Sequence, residues 1–215
     1  MTKVALQKYL DQLESLVEVA NESSRRMVCE DSMFIVHTNL FTKSYLVTLC
    51  SILESYLKEE ILDFVEDVAG IVGGLSLTRN IVVWGMEPHN DELYEKLVGN
   101  DIETLVFNIS NSDVDDKISG NVDRTIKAFR RCGIDITRCR EFSSVKSMVA
   151  TIVLKRNTVV HHSIQSVDFT YADIVEWISN VRLYIMGISE FVNEERQKNC
   201  SRVKGLMMSY KGAEE

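Results

Sequence analysis

Apolar residues recur at three- and four-residue steps along most of the chain, the spacing that places side chains on one face of a helix. Leu6, Leu10, Leu13, Val17 and Ala20 form the first such stripe, and the polar stretch from Asn21 to Arg26 is expected to end or fray it. A second, longer stripe runs from about Ser32 to Val68 through Leu46, Leu49, Leu53, Leu57, Ile61 and Phe64. Val47, Cys50, Ile52 and Tyr56 widen it beyond one face, so it reads as a central helix with partners on two sides. A third helix is predicted over about 115–131, with Ile118, Val122, Ile126 and Phe129 inward and Gly133 to stop it. A fourth starts near Ser143 or Ser144, turns Val145, Met148, Val149, Ile152 and Val153 inward, and runs into Arg156. The fifth opens on Thr170-Tyr-Ala-Asp173, a capping-box pattern, and continues through Ile174, Ile178, Val181, Ile185, Ile188 and Val192.

Between the second and third stripes the pattern weakens. Residues 69–114 read as an inserted block: Gly70, Gly73 and Gly74 end the long helix, and Ile81 to Trp84 suit a short strand or buried loop. Short helices follow over about 91–98 and 101–109. From about residue 194 the chain is polar and expected to be a mobile tail. The expectation is one all-α domain over 1–215, a bundle of about five main helices with an insertion. A single proline, Pro88, agrees with long uninterrupted helices.

Composition narrows the function. A net charge of −8 excludes a uniformly basic nucleic-acid binder. Yet from Lys117 to Arg156 ten Lys/Arg face three acids, a concentrated positive segment suited to phosphate, with Arg130, Arg131 and Lys155 as candidate RNA contacts. Five cysteines without a C-x-x-C spacing read as reduced thiols of a cytoplasmic protein. No run of about 18 uninterrupted apolar residues suggests a membrane span. Asp113-Val-Asp-Asp116 lacks the glycine and glutamate of a calcium loop and is expected to cap a helix. His37 and His89 have no metal-ligand spacing partner, and no cofactor or metal is expected.

The chemistry concentrates in Lys155-Arg-Asn-Thr-Val-Val-His161-His162. Asn157 and His161, four apart, share a helical face. Arg156 and His161, five apart, lie about 140° apart around a regular helix. They converge only if the helix frays or if two copies meet across a two-fold axis. Such a set suits metal-independent RNA cleavage: imidazole takes and returns protons, and the arginine fork stabilises charge on phosphate. The competing expectation is a plain helix C-terminus with basic residues near the negative dipole end.

Ser51-Ile-Leu-Glu-Ser-Tyr-Leu-Lys-Glu-Glu60, the stretch from Phe129 to Asp135, and the helix ending in Arg-Asn-x-x-x-His resemble the prokaryotic HEPN superfamily, more narrowly the HEPN nucleases of toxin–antitoxin and phage-defence loci. The resemblance covers roughly 35–68 and 117–192. It implies a HEPN-type bundle, a homodimer with a ribonuclease site at its interface, RNA as substrate, a cognate antitoxin protein as partner, and Arg156, Asn157 and His161 as catalytic residues. Glu54 and His162 become candidate supporting residues, Glu54 by orienting Arg156. Family members often carry Gly after the histidine; this chain has His162, so either histidine could face RNA. Arg79-Asn80 begins the same way but lacks the histidine. The alternative function is a non-catalytic HEPN module that binds nucleotide or a partner protein.

Overall fold

The computed structural model describes the backbone of residues 3–73, 111–115, 117–162 and 169–211, and side chains over 6–70, 112–114, 117–160, 169–198 and at 201. The helices are α1 (Lys3–Val28), α2 (Ser32–Val36), α3 (Thr38–Gly73), α4 (Asn111–Asp115), α5 (Val122–Arg131), α6 (Arg140–His162) and α7 (Tyr171–Lys211), with a 3-10 turn at Ile136–Arg138. Among the described residues there is no strand. The expected strand or loop at Ile81–Trp84, the helices over 91–98 and 101–109, and Arg79-Asn80 lie outside the described residues.

The first stripe is a helix, but its polar end neither stops nor frays. α1 continues to Val28 because Glu22 accepts from Arg25 Nε and Nη2 at 2.7 Å and from Arg26 Nε at 2.9 Å, closing the last turns with local ion pairs. Ser23 is buried; its hydroxyl donates to Val19 O at 2.8 Å and shares a hydrogen bond with Tyr45. The inward face is also turned slightly from the expected one. Tyr9, Leu13, Leu16 and Ala20 are buried, while Leu10 and Val17 sit at the margin. Tyr9 sets this rotation: its ring meets Tyr56 edge-on at 5.6 Å and its hydroxyl donates to Glu59.

The segment expected as one helix from Ser32 breaks at His37. Asp31 caps α2 by accepting from Met33 N at 3.1 Å, and Phe34 stacks on Phe41 at 4.9 Å across the break. α3 then runs through Gly70 and ends at Gly73, within the glycines expected to stop it. The predicted 115–131 helix is likewise divided. α4 holds Asp113 within a helical turn rather than as a cap of the longer element. The cap of α5 is Asn121, which accepts from Arg124 N at 3.0 Å. Gly120, between them, has φ +63, and a Cβ there would meet Glu54 Cγ at 3.2 Å. Backbone handedness and the close pass over α3 both call for glycine. α5 ends where expected, with Ile134 N returning to Phe129 O around the left-handed Gly133.

α6 starts earlier than Ser143, at Arg140, because Cys139 O already accepts from Ser143 N. Its Met148 is exposed rather than inward, while Val145, Val149, Ile152 and Val153 are buried. α7 opens as predicted: Asp173 accepts from Thr170 N and Oγ1 at 2.6 and 2.7 Å, and Thr170 Oγ1 accepts from Asp173 N at 3.3 Å. These bonds hold the Asp173 carboxyl below the usual range.

α7 packs against α1, α3 and α6, with its broadest contacts on α6 and α1, so the centre of the bundle is shared between α3 and α7. Ile174, Ile178, Val181, Tyr184, Ile185, Ile188 and Val192 fill its inner face, each burial contributing roughly 1.5–3 kcal/mol. The polar segment from 194 begins as a continuation of α7. Within it, Arg196 lies over the Phe64 ring at 5.8 Å, 3.1 Å from Asp67 and 3.9 Å from Glu60 on α3. Burial raises the Glu60 carboxyl above its usual range, opposed by the Tyr56 hydroxyl and Arg196.

Candidate functional site

Two features of α6 shape the motif. Its inner residues through Val153 and Val159 anchor it on the core, and it remains α-helical through His162. The backbone therefore does not fray at the motif. Arg156 and His161 leave the helix axis about 140° apart, whereas Asn157 and His161 occupy one face. Side chains at 161 and 162 lie outside the described residues.

Arg156 partly overcomes the phase difference. Its Nη1 donates to Asn157 Oδ1 at 3.1 Å, which draws the guanidinium round toward the face that Asn157 shares with position 161. The guanidinium can only donate, so this bond also fixes the Asn157 oxygen toward Arg156 and turns the amide N–H group away. Arg156 Nε is buried and has no hydrogen-bond partner among the described residues. Such a group costs free energy unless an acceptor meets it.

Cys50 of α3, read from the sequence only as core, is within electrostatic reach of Arg156. It is 1% exposed; burial pushes its thiol up to about 12, with Arg156 pulling the value down and Glu54 pushing it up. No hydrogen bond or ion pair joins Glu54 to Arg156 among the described residues; Glu54 packs beside Gly120 instead.

The expected basic surface is divided. Lys155 points to α7, with its ammonium 5.9 Å from the Phe169 ring centre and 5.7 Å from that of Trp177, contacts worth about 0.5–1 kcal/mol at a partly exposed site. Trp177 itself is buried core. Arg130 is exposed and lies 3.7 Å from Asp135. Arg131 lines a cavity of about 350 Å³ with Phe64, Val68, Lys117 and Ile118. Both arginines stand at the C-terminal end of α5, whereas its N-terminal end approaches Asn157 across a second cavity of about 420 Å³. Ten residues of helix separate the two ends by about 15 Å.

That second cavity is a groove lined by Asn121, Val122, Asp123 and Ile126 of the α5 side and by Lys146, Ser147, Ala150, Val153, Leu154 and Asn157 of α6. The α6 contributors follow a three- and four-residue rhythm that was readable in the sequence once the helix was placed. Among the described residues no group of three or more His, Cys, Asp or Glu is arranged to hold a metal ion. Cys29, Cys50, Cys132 and Cys139 are free thiols. No helix among the described residues is long and apolar enough to cross a membrane.

A model of the RiboL-PSP-HEPN family matches residues 5–194. The chain belongs to this family. The match runs through the core helices and through the block at 69–114 alike. HEPN domains are often ribonucleases, bind RNA and often dimerise. No curated protein and no solved structure matches the chain. The all-α bundle expected from the periodicities is the architecture of this HEPN domain.

Proposed function

We propose that this HEPN domain is a metal-independent endoribonuclease of toxin–antitoxin or defence type, acting in the cytoplasm, with Arg156, Asn157 and His161 as its catalytic residues. The observation that carries the reading is the Arg156–Asn157 hydrogen bond on a helix unbroken through His162. It brings a phosphate-binding guanidinium toward the helical face of a histidine that is otherwise out of phase with it.

In this scheme a neutral imidazole takes the proton of an RNA 2′-hydroxyl, and the 2′-oxygen attacks the adjacent phosphorus. Arg156 meets the charge that develops on the equatorial oxygens. The P–O5′ bond breaks, and a protonated imidazole supplies the leaving 5′-oxygen with its proton. The products carry a 2′,3′-cyclic phosphate and a 5′-hydroxyl. A second copy of the chain, related by a two-fold axis, supplies the second histidine and a second Arg156–Asn157 pair. The exposed Val160 on α6 suits that contact. Lys155 leaves the phosphate-binding set, since α7 already holds its ammonium. His162 acts in support, whereas Glu54, packed beside Gly120, has no bond to Arg156 among the described residues through which to orient it.

The test is cleavage of single-stranded RNA by the full chain in EDTA, with product ends mapped. Cyclic-phosphate ends, resistance of DNA, and a dimer by light scattering are expected. A requirement for added metal, or nucleotide-dependent thermal stabilisation without cleavage, would replace this reading with that of a non-catalytic HEPN module.

A further inference from the structure

The groove between α5 and α6 has properties that the proposed cleavage chemistry does not use. Along α6 its lining residues are Lys146, Ala150, Leu154 and Asn157, joined by Ser147 and Val153. They form one continuous stripe of three turns, about 16 Å long. The next position in that stripe, four residues beyond Asn157, is His161. The groove therefore leads along the helix into the motif.

Its lining divides into an apolar wall and unspent polar groups. Leu154 is 66% exposed, and Ala150 is exposed beside it. Lys146 and Asp123 both line the cavity, yet neither forms a hydrogen bond or ion pair with any described residue, including each other. The amide N–H group of Asn157, turned away from Arg156, forms no hydrogen bond among the described residues. A cation, a carboxylate, an amide donor and an apolar wall in about 420 Å³ match the phosphate, edge and face of one unstacked nucleotide. A duplex keeps its bases stacked and cannot offer a face to this wall.

We propose that this groove is the substrate subsite for a nucleotide of single-stranded RNA flanking the cleaved bond, a proposal that rests on the ribonuclease reading above. Lys146 holds a backbone phosphate, Ala150 and Leu154 lie against the base, and Asp123 determines specificity. A carboxylate only accepts hydrogen bonds, so Asp123 favours bases with an exocyclic amino group over uracil.

Three variants of the full chain test it: Lys146→Ala, Ala150→Trp, which fills the groove from an exposed position, and Asp123→Asn. Each is assayed for cleavage of a mixed-sequence single-stranded RNA and for binding of a 2′-O-methyl RNA oligonucleotide, which cannot be cleaved by 2′-oxygen attack. Lys146→Ala and Ala150→Trp should raise KM and weaken oligonucleotide binding about tenfold or more, with kcat little changed, as loss of a charge-assisted contact predicts. Asp123→Asn should redistribute the cleavage sites toward uracil. Wild-type binding that these variants abolish, without any cleavage of ordinary RNA, supports the groove while sinking the ribonuclease reading. Cleavage with unchanged KM, affinity and site distribution in all three folded variants overturns the groove and leaves that reading standing. Absence of RNA binding by the wild type overturns both.

Discussion

The two ends of α6 are built for different purposes. At its start the helix is pressed against α7. A Cβ on Gly187 would come within 2.5 Å of Glu141 Cβ and 3.3 Å of both Cys139 Sγ and Phe142 N. Phe142 is fully buried against Tyr184, and Cys139 Sγ lies 3.4 Å from Gly187 O. At its other end the same helix carries a half-buried arginine whose Nε and an asparagine whose amide N–H group find no partner among the described residues, together with exposed Leu154 and Val160. The first end is held by close packing. The second leaves polar groups to be satisfied by something that binds. A rigid start and an unsatisfied finish on one element is how a scaffold can hold catalytic groups in place without closing over them.

The comparison predicts opposite responses to mutation. The largest effect belongs to the motif end: Arg156→Ala or His161→Ala should slow RNA cleavage by about 10²–10⁴ while the unfolding midpoint stays near that of the wild type. Arg156→Lys should restore only part of the loss, because an ammonium cannot fork across two phosphate oxygens. His162→Ala should cost less than His161→Ala, and the reverse order would shift the assignment by one residue. Full activity of both single-histidine variants would remove the difference between the two ends altogether.

At the other end, Gly187→Val should behave in the opposite way. Its side chain cannot enter the contact with Glu141 and Cys139 unless α6 and α7 part, so a loss of about 1–3 kcal/mol is expected. Urea denaturation reads this as a lower midpoint, and cleavage per folded molecule should be unchanged. A stable Gly187→Val protein would show that the close contact is not needed to position α6.

A smaller effect is expected at the α7 cap. Asp173→Ala removes an acceptor for two donors of Thr170 and should cost about 1 kcal/mol. The native Asp173 carboxyl sits below the ordinary aspartate value because of those Thr170 bonds. Its contribution is therefore present above that ordinary value and is lost as pH falls through the lowered one. Wild type and variant should differ at neutral pH and converge in acid; a constant difference across the range would deny the cap its charge.

The smallest effect should come from Arg130→Glu combined with Arg131→Glu. Both arginines are exposed and stand at the end of α5 away from Asn157. Cleavage at saturating RNA should be unchanged, and any weakening of association should appear only as a flatter salt dependence. A large loss of kcat would mean that this end of α5 belongs to the site.

Much of the fold is legible along the chain, because the 3.6-residue period is a local property that burial merely enforces. Ile174 to Val192 marked the inner face of α7 without error, and the Thr170–Asp173 cap was readable from two residue types at the right spacing. The breaks were not. His37 and the Gly120 turn interrupt apolar stripes whose period continues past them, and only the stacking of Phe34 on Phe41 and the close pass over Glu54 explain why the chain turns there. The motif itself is likewise a linear signal, and the sequence alone specifies that Arg156, Asn157 and His161 share one helix and that two of them are out of phase. Tertiary structure decided what the other charges do. Lys155 and Arg156 are adjacent in sequence, yet one is held over Phe169 and Trp177 and the other bonds Asn157. Ten basic residues in forty are visible in the sequence, but whether they form one surface depends on the rotation of each helix and on what packs beside it. That is set by long-range packing of the core, which no local pattern records.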